Sequence, residues 1–179
     1  MNEEELISLC RIGDANARKL LYTRTVNEVY RLVLRITGNE HDALDLTQNT
    51  YLLAFERIHQ FKQNAAFSSW LYRIAYNEAL QFLKASSRRT ERTAAIDPPA
   101  NDTESEVRLD TGLDLESAMA MLPVDDRGLL LLRYHAGLDY NAIADVLACP
   151  PGTVASRLNR ARSRLAGVLE ASYKCSEKK

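Results

Sequence analysis

Residues 138–165 read LDYNAIADVLACPPGTVASRLNRARSRL, and this stretch decides the fold. Apolar side chains recur at Ile143, Ala144, Leu147, Val154 and Leu158, the three-and-four spacing of a helical stripe. The run Ala148-Cys149-Pro150 breaks that stripe, and Pro151 stands at the first position of the next helix, where proline is tolerated. Two helices joined by a three-residue turn, with small Ala144 where they must cross, have the spacing of a helix-turn-helix. The second helix carries Arg157, Arg160, Arg162 and Arg164, with no acidic residue between Pro151 and Ala166. Arginines at these intervals fan over more than half of the helix circumference. Some are placed to reach phosphates and others to lean towards base edges. Thr153 and Ser156 near the helix start can donate hydrogen bonds, and the helix N-terminus itself attracts phosphate. An arginine-rich surface helix making ordinary ion pairs has the same periodicity. Like charges three and four apart repel, however, so the compensating charge must come from outside the helix.

Working outward, Asp125-Asp126 open a helix through Arg133 that stops at Gly137, and Leu113 to Leu122 forms another that ends at Pro123. Upstream lies a change of character. Seven acidic residues and one basic residue, Arg108, stand between Asp97 and Glu116, a local net of −6. With Asp97-Pro98-Pro99 unable to continue a helix, this stretch reads as an extended, self-repelling linker. Its charge alone would equally suit a solvated loop.

The first half is helical again. Ala17, Leu20, Leu21, Val29, Leu32, Val33 and Ile36 mark one face of a helix from Asp14, closed by Gly38-Asn39. A second helix starts near Asp42, with Ala43, Leu46, Leu52, Phe55 and Ile58 in register. Gln60 to Ala66 has no period and reads as a loop. Ser68 or Ser69 is placed to cap a third helix carrying Trp70, Leu71, Ile74, Ala75, Phe82 and Leu83. Arg88, Arg89 and Arg92 end it. One Trp, two Tyr (Tyr72 and Tyr76) and Arg73 gather near that loop, with Asn77 a turn later. Aromatic faces beside a cation suit unstacked bases, and a flipped base needs a pocket with hydrogen-bonding groups. Trp70 taken alone reads equally as core.

The whole chain has 179 residues, 46% hydrophobic and 26% charged, so a packed core is expected and wholesale disorder is excluded. Lys plus Arg number 23 against 24 Asp plus Glu, which excludes a histone-like polycation but not a local basic patch. Cys10, Cys149 and Cys175 are odd in number and widely spaced, so neither a disulfide framework nor a zinc site is expected. His41, His59 and His135 lack a matching nucleophile or ligand set, so no catalytic residue, metal or cofactor is expected. An acidic N-terminus and no apolar run of membrane length read as a soluble, cytoplasmic chain.

In this order the segments resemble the bacterial sigma factors of the extracytoplasmic-function group. Asp42 to Gln48 looks like that group's core-polymerase-binding motif. Trp70-Leu71-Tyr72-Arg73-Ile74-Ala75 followed by Asn77 is similar to its promoter-melting helix. Leu122-Pro123, Leu131-Leu132-Arg133-Tyr134, Gly137-Leu138, Ile143-Ala144, Gly152-Thr153-Val154, Ser156-Arg157-Leu158 and Arg160-Ala161-Arg162 match its second domain. The resemblance runs from about Gly13 to Leu169, and its specificity lies in the ordered set.

It implies an all-α fold of two small helical domains, 1–92 and 113–179, joined by an acidic linker, 93–112, with a helix-turn-helix in the second. It implies core polymerase binding by Asp42, Asp45, Leu46, Gln48, Asn49 and Leu52. Recognition and melting of a minus-ten element would fall to Phe61, Lys62, Phe67, Trp70, Arg73, Tyr76, Asn77, Gln81 and Lys84. A minus-thirty-five element would be read by Thr153, Ser156, Arg157, Arg160, Arg162 and Arg164. The implied partners are core polymerase, promoter DNA and an anti-sigma factor. Departures from the family pattern stand at Leu44, Tyr76, Gln81, Ala155 and Pro150-Pro151, and imply an altered promoter preference. From the residues alone two rivals remain, a dimeric helix-turn-helix regulator with its own operator and a helical interaction module without DNA.

Overall fold

The computed structural model describes residues 2–62, 66–94 and 115–176. Among these, all regular structure is helical: α1 (Glu3–Arg11), α2 (Ala15–Thr37), α3 (Glu40–Glu56), a single 3-10 turn (Ile58–Gln60), α4 (Phe67–Ala94), α5 (Leu115–Ala120), α6 (Val124–Tyr134), α7 (Tyr140–Leu147) and α8 (Pro151–Ser176). The expected linker 93–112 falls almost wholly outside the described residues.

Local chemistry explains most boundaries. The Asp14 carboxylate accepts from the Ala17 N–H at 2.7 Å and starts α2. Gly38 ends it in the left-handed conformation, φ 72°, with its N–H on the Leu34 carbonyl. Asn39 caps α3 by accepting from the Asp42 N–H, so that helix begins two residues before the expected Asp42. Asp139 caps α7 in the same way through the Ala142 N–H. Pro151 occupies the first position of α8 as expected. Ala148, in the turn before it, is the single non-glycine residue with positive φ (49°) among those described, a strained geometry that tightens the turn.

Three expectations are corrected. α1 was not anticipated, although Asn2 and Glu5 form a reciprocal capping box and Glu3, Glu4 and Glu5 suit the helix dipole. Neither Ser68 nor Ser69 caps α4, because the helix begins at Phe67 and both serines lie inside its first turn. Nor do Arg88, Arg89 and Arg92 end α4, which continues to Ala94.

α1 to α4 bury Leu6, Ile7, Cys10, Leu32, Val33, Ile36, Phe67 and Leu71 around one centre. In the second half, Leu132, Ile143, Val154 and Leu158 form the core of the helix-turn-helix. Arg133 braces it, donating to the Leu138 carbonyl at 2.8 Å while its guanidinium lies 5.2 Å from the Tyr140 ring centre. The two cores are continuous with each other, because α2 packs on α6, and α4 packs on α6 and α7.

Candidate nucleic-acid interface

Three surfaces carry the residues expected to function. On α3 the helix period sorts them. Asp45, Gln48, Asn49 and Leu52 are exposed, Asp42 is half-buried, and Leu46 is buried at 5% exposure. Leu46 therefore holds α3 to the core rather than offering its own surface. Leu44, which stood outside the expected contacts, is 51% exposed, and with Leu52 at 69% it flanks Gln48 on one apolar-edged stripe. Its spacing of four from Gln48 and eight from Leu52 was the available signal. Thr47 and Thr50 satisfy their hydroxyls on the Ala43 and Leu46 carbonyls and face inward.

At the start of α4, Phe61 and Phe67 are 3% and 1% exposed. Their rings meet edge to face with centroids 5.5 Å apart, and Trp70 lies 5.5 Å from one and 5.7 Å from the other. Of the expected minus-ten contacts, Phe61 and Phe67 are buried in the core and Trp70 is half-buried among them. Of the other expected contacts, Lys62, Arg73, Gln81 and Lys84 are exposed and Asn77 is half-buried.

Tyr76 differs from both groups. It is 2% exposed, and its ring lies against Gly128 of α6. Burial pushes its hydroxyl well above the usual tyrosine range, with Asp125 adding to the effect, so it stays neutral. As placed, it is a contact between the halves and not a DNA-facing group.

The third surface meets the second. Arg157, Arg160 and Arg164 of α8 line a cleft of about 610 Å³ together with Arg73, Asn77 and Lys84 of α4. Among the described residues, Asp125 and Asp126 of α6 are its only acidic lining residues. Lys84 pairs with Asp125 at 3.2 Å, and Arg164 pairs with Asp126. Part of the charge expected to come from a duplex is thus supplied by α6. Among the described residues no carboxylate stands within ion-pair distance of Arg73, Arg157 or Arg160. Arg162 is not in the cleft; it is directed to Asn159 on its own helix. At 100° per residue that separation is geometric, because positions 157, 160 and 164 share one side and 162 does not. Thr153 is half-buried, and Ser156 is exposed with its hydroxyl donated to the Thr153 carbonyl at 2.9 Å.

On the far side of the same junction, Arg35 donates to His135 Nδ1 at 3.1 Å and lies 3.8 Å from the Glu116 carboxylate. Among the described residues no group of His, Cys, Asp and Glu is arranged to hold a metal ion, and no helix is long and apolar enough to cross a membrane. Cys10 and Cys149 are free thiols.

The architecture has known counterparts. Residues 21–89 match the model for Sigma-70 region 2, and residues 112–165 match Sigma-70, region 4. RNA polymerase sigma-H factor of Pseudomonas aeruginosa is 33% identical, the alignment covering 94% of each chain. The ECF RNA polymerase sigma-E factor of Haemophilus influenzae is 34% identical over 92% of this chain and 94% of that one. Among solved structures, the sigma factor RpoE of Bartonella quintana, in complex with the anti-sigma factor NepR, superposes with a TM-score of 0.68. It is 25% identical and covers 85% of this chain and 96% of that one. CnrH, in complex with the cytosolic domain of CnrY, shares the fold with a TM-score of 0.67 at 21% identity, covering 93% and 96%.

Proposed function

The chain belongs to the extracytoplasmic-function group of RNA polymerase sigma factors, and from that membership we propose how its residues divide the work of directing the core enzyme to promoters. The exposed face of α3, Asp45, Gln48, Asn49 and Leu52 with Leu44 and the flanking Asp42, docks on core polymerase. Leu46 supports that face from beneath. The loop from Phe61 to Phe67 and the polar side of α4, Lys62, Arg73, Asn77, Gln81 and Lys84, engage the minus-ten element. Phe61, Phe67 and Trp70 fix the base of that loop. α8 enters the major groove of the minus-thirty-five element with Thr153, Ser156, Arg157, Arg160 and Arg164, while Arg162 reaches phosphate. The bond chemistry belongs to the polymerase, so the chain needs no catalytic residue, metal or cofactor of its own.

The observation that carries this reading is the convergence on one polar cleft of Arg73, Arg157 and Arg160, cations from two domains with no carboxylate at ion-pair distance among the described residues. A duplex whose major groove alone is about 12 Å wide does not fit a cleft of about 610 Å³. Promoter engagement therefore requires the domains 1–92 and 113–179 to part, with the acidic linker 93–112 tethering them along the polymerase. Two weak grips held by one enzyme then gain through effective concentration. An anti-sigma partner, of the kind bound in the Bartonella quintana structure, holds the chain off the polymerase until released.

The test is holoenzyme assembled with Arg157→Ala, Arg160→Ala or Arg162→Ala and footprinted on a promoter. The first two are expected to lose about 1–3 kcal/mol of minus-thirty-five binding each. Arg162→Ala should cost less and only reduce the salt slope by about one. Wild-type initiation by both Arg157→Ala and Arg160→Ala would remove the recognition-helix assignment. Tight binding of the free chain to a palindrome as a dimer would instead support an operator-binding regulator.

A further inference from the structure

The cleft between α4 and α8 carries more positive charge than its own surroundings balance. Among the described residues its lining holds five cations, Arg73 and Lys84 from α4 and Arg157, Arg160 and Arg164 from α8, against the two carboxylates of Asp125 and Asp126. Both carboxylates are already engaged, Asp125 with Lys84 at 3.2 Å and Asp126 with Arg164. Arg73 from the first half, and Arg157 and Arg160 from the second, face the same cleft with no carboxylate at ion-pair distance among the described residues. Like charges gathered in this way repel, and the field of a cleft concentrates anions within it. The guanidinium fork matches phosphate oxygens in bidentate pairs. Asn77, half-buried on the α4 wall, adds an amide donor.

Size and charge select the class of anion. A volume of about 610 Å³ lies within the range of small-ligand sites and excludes a duplex. A single phosphate balances at most about two of the three guanidiniums, whereas a chain of two or three phosphates balances them all. Leu80 and Leu147, both half-buried, line the remainder and offer an apolar wall to a nucleoside.

We propose that this cleft is a binding site for a small polyphosphate, inorganic or carried by a nucleoside, which bridges the two halves in their closed arrangement and so competes with promoter engagement. The competition rests on the reading of Arg157 and Arg160 as promoter-contacting residues. Because the walls belong to different halves, parting them dismantles the site. The ligand therefore binds the closed chain and shifts the population towards it.

The test begins with calorimetric titration of the full chain, free of polymerase, with tripolyphosphate and separately with adenosine triphosphate, without divalent cations and at matched ionic strength. Arg73→Ala and Arg157→Ala, one from each wall, are each expected to weaken tripolyphosphate binding about 10- to 100-fold, as loss of a charge-assisted contact implies. Arg24→Ala removes the same charge from an exposed position on α2, outside the cleft, and should change it less than about twofold. Tighter binding of adenosine triphosphate would assign a nucleoside to Leu80 and Leu147, and equal or weaker binding would assign the phosphate chain alone; either supports the site. No binding by wild type at about 1 mM ligand would overturn the proposal. So would an Arg24→Ala loss as large as that of Arg73→Ala, which marks diffuse attraction, or sensitivity to one wall only, which marks a ligand that does not bridge. Holoenzyme in tripolyphosphate at about ten times its Kd should lose up to about 11-fold in promoter affinity. Arg73→Ala holoenzyme should lose less than about twofold from its own ligand-free value under the same conditions. Undiminished wild-type promoter affinity would overturn the competition. The titration contains neither polymerase nor promoter, so holoenzyme that fails to bind a promoter without ligand would count against the sigma reading and leave the site standing.

Discussion

Gly128 lies in α6 with its α-carbon turned to the Tyr76 ring of α4. A methyl group built there would sit 2.6 Å from Cε2, 3.4 Å from Cδ2 and 3.5 Å from Cζ of that ring. The first distance is far inside van der Waals contact, and a ring only 2% exposed has no free volume to swing into. Gly128→Ala must therefore push α4 and α6 apart or rotate the ring, an overpacking cost of about 1–3 kcal/mol. The same change favours the α6 backbone by up to about 1 kcal/mol, since alanine suits a helix interior better than glycine. These effects fall on different equilibria, the clash on closure between the halves and the propensity on folding of the second half. The closed-to-open ratio is expected to fall about 5- to 150-fold, while the thermal transition of the second half stays level or rises. Single-molecule energy transfer between dyes at exposed Thr23 and Ser163, with the three cysteines replaced, reads the first. Circular dichroism melting reads the second. An unchanged energy-transfer distribution with intact helicity would refute the reasoning, because the Tyr76–Gly128 contact would then not be what joins the halves.

Two more outcomes concern the same junction and its neighbourhood. Burial first, and then the Arg35 charge, hold the His135 pKa below the usual histidine value, with Arg31 acting the same way and Glu28 opposing. Arginine can only donate, so the contact at 3.1 Å needs the neutral ring. Closure is thus fully supported above the ordinary value of about 6.5 and weakens as pH falls through the window below it. Acidification should widen the Thr23–Ser163 separation without loss of helicity, and His135→Gln, whose amide oxygen still accepts, should flatten that response. Equal responses in wild type and variant would discard the idea. Asp139→Ala removes the α7 cap on the Ala142 N–H, 2.8 Å long, at a cost of about 1 kcal/mol. For a domain of this size its melting temperature should drop roughly 4–8 °C, and an unmoved transition would show the cap to be idle.

Much of the fold was legible because its causes are local. The stripes at Ala17 to Ile36 and Ile143 to Leu158 repeat within one helix turn, and Asp14, Gly38 and Pro151 act on backbone groups three or four residues away. The α1 capping box had the same kind of signal and was overlooked among its glutamates. Ser68 and Ser69 misled because a good cap residue is only a candidate, and Glu3, 64 residues from Phe67, takes the acceptor role instead. At the candidate sites, residue types were readable and their facing was not. Leu46 and Leu44 differ by half a helix turn, which decides that one is core and the other surface.

Sequence by itself determined the helices, their order, the helix-turn-helix and the arginine row, because periodicity and capping are short-range physics. Tertiary structure alone decided that Arg157, Arg160 and Arg164 meet Arg73 across a cleft while Arg162 turns away. It alone placed Tyr76 on Gly128, Arg11 on the Phe61 carbonyl and Glu3 on the Phe67 N–H. Such pairings join residues tens of positions apart, and no spacing rule within a helix carries information about which distant backbone or ring will complete them.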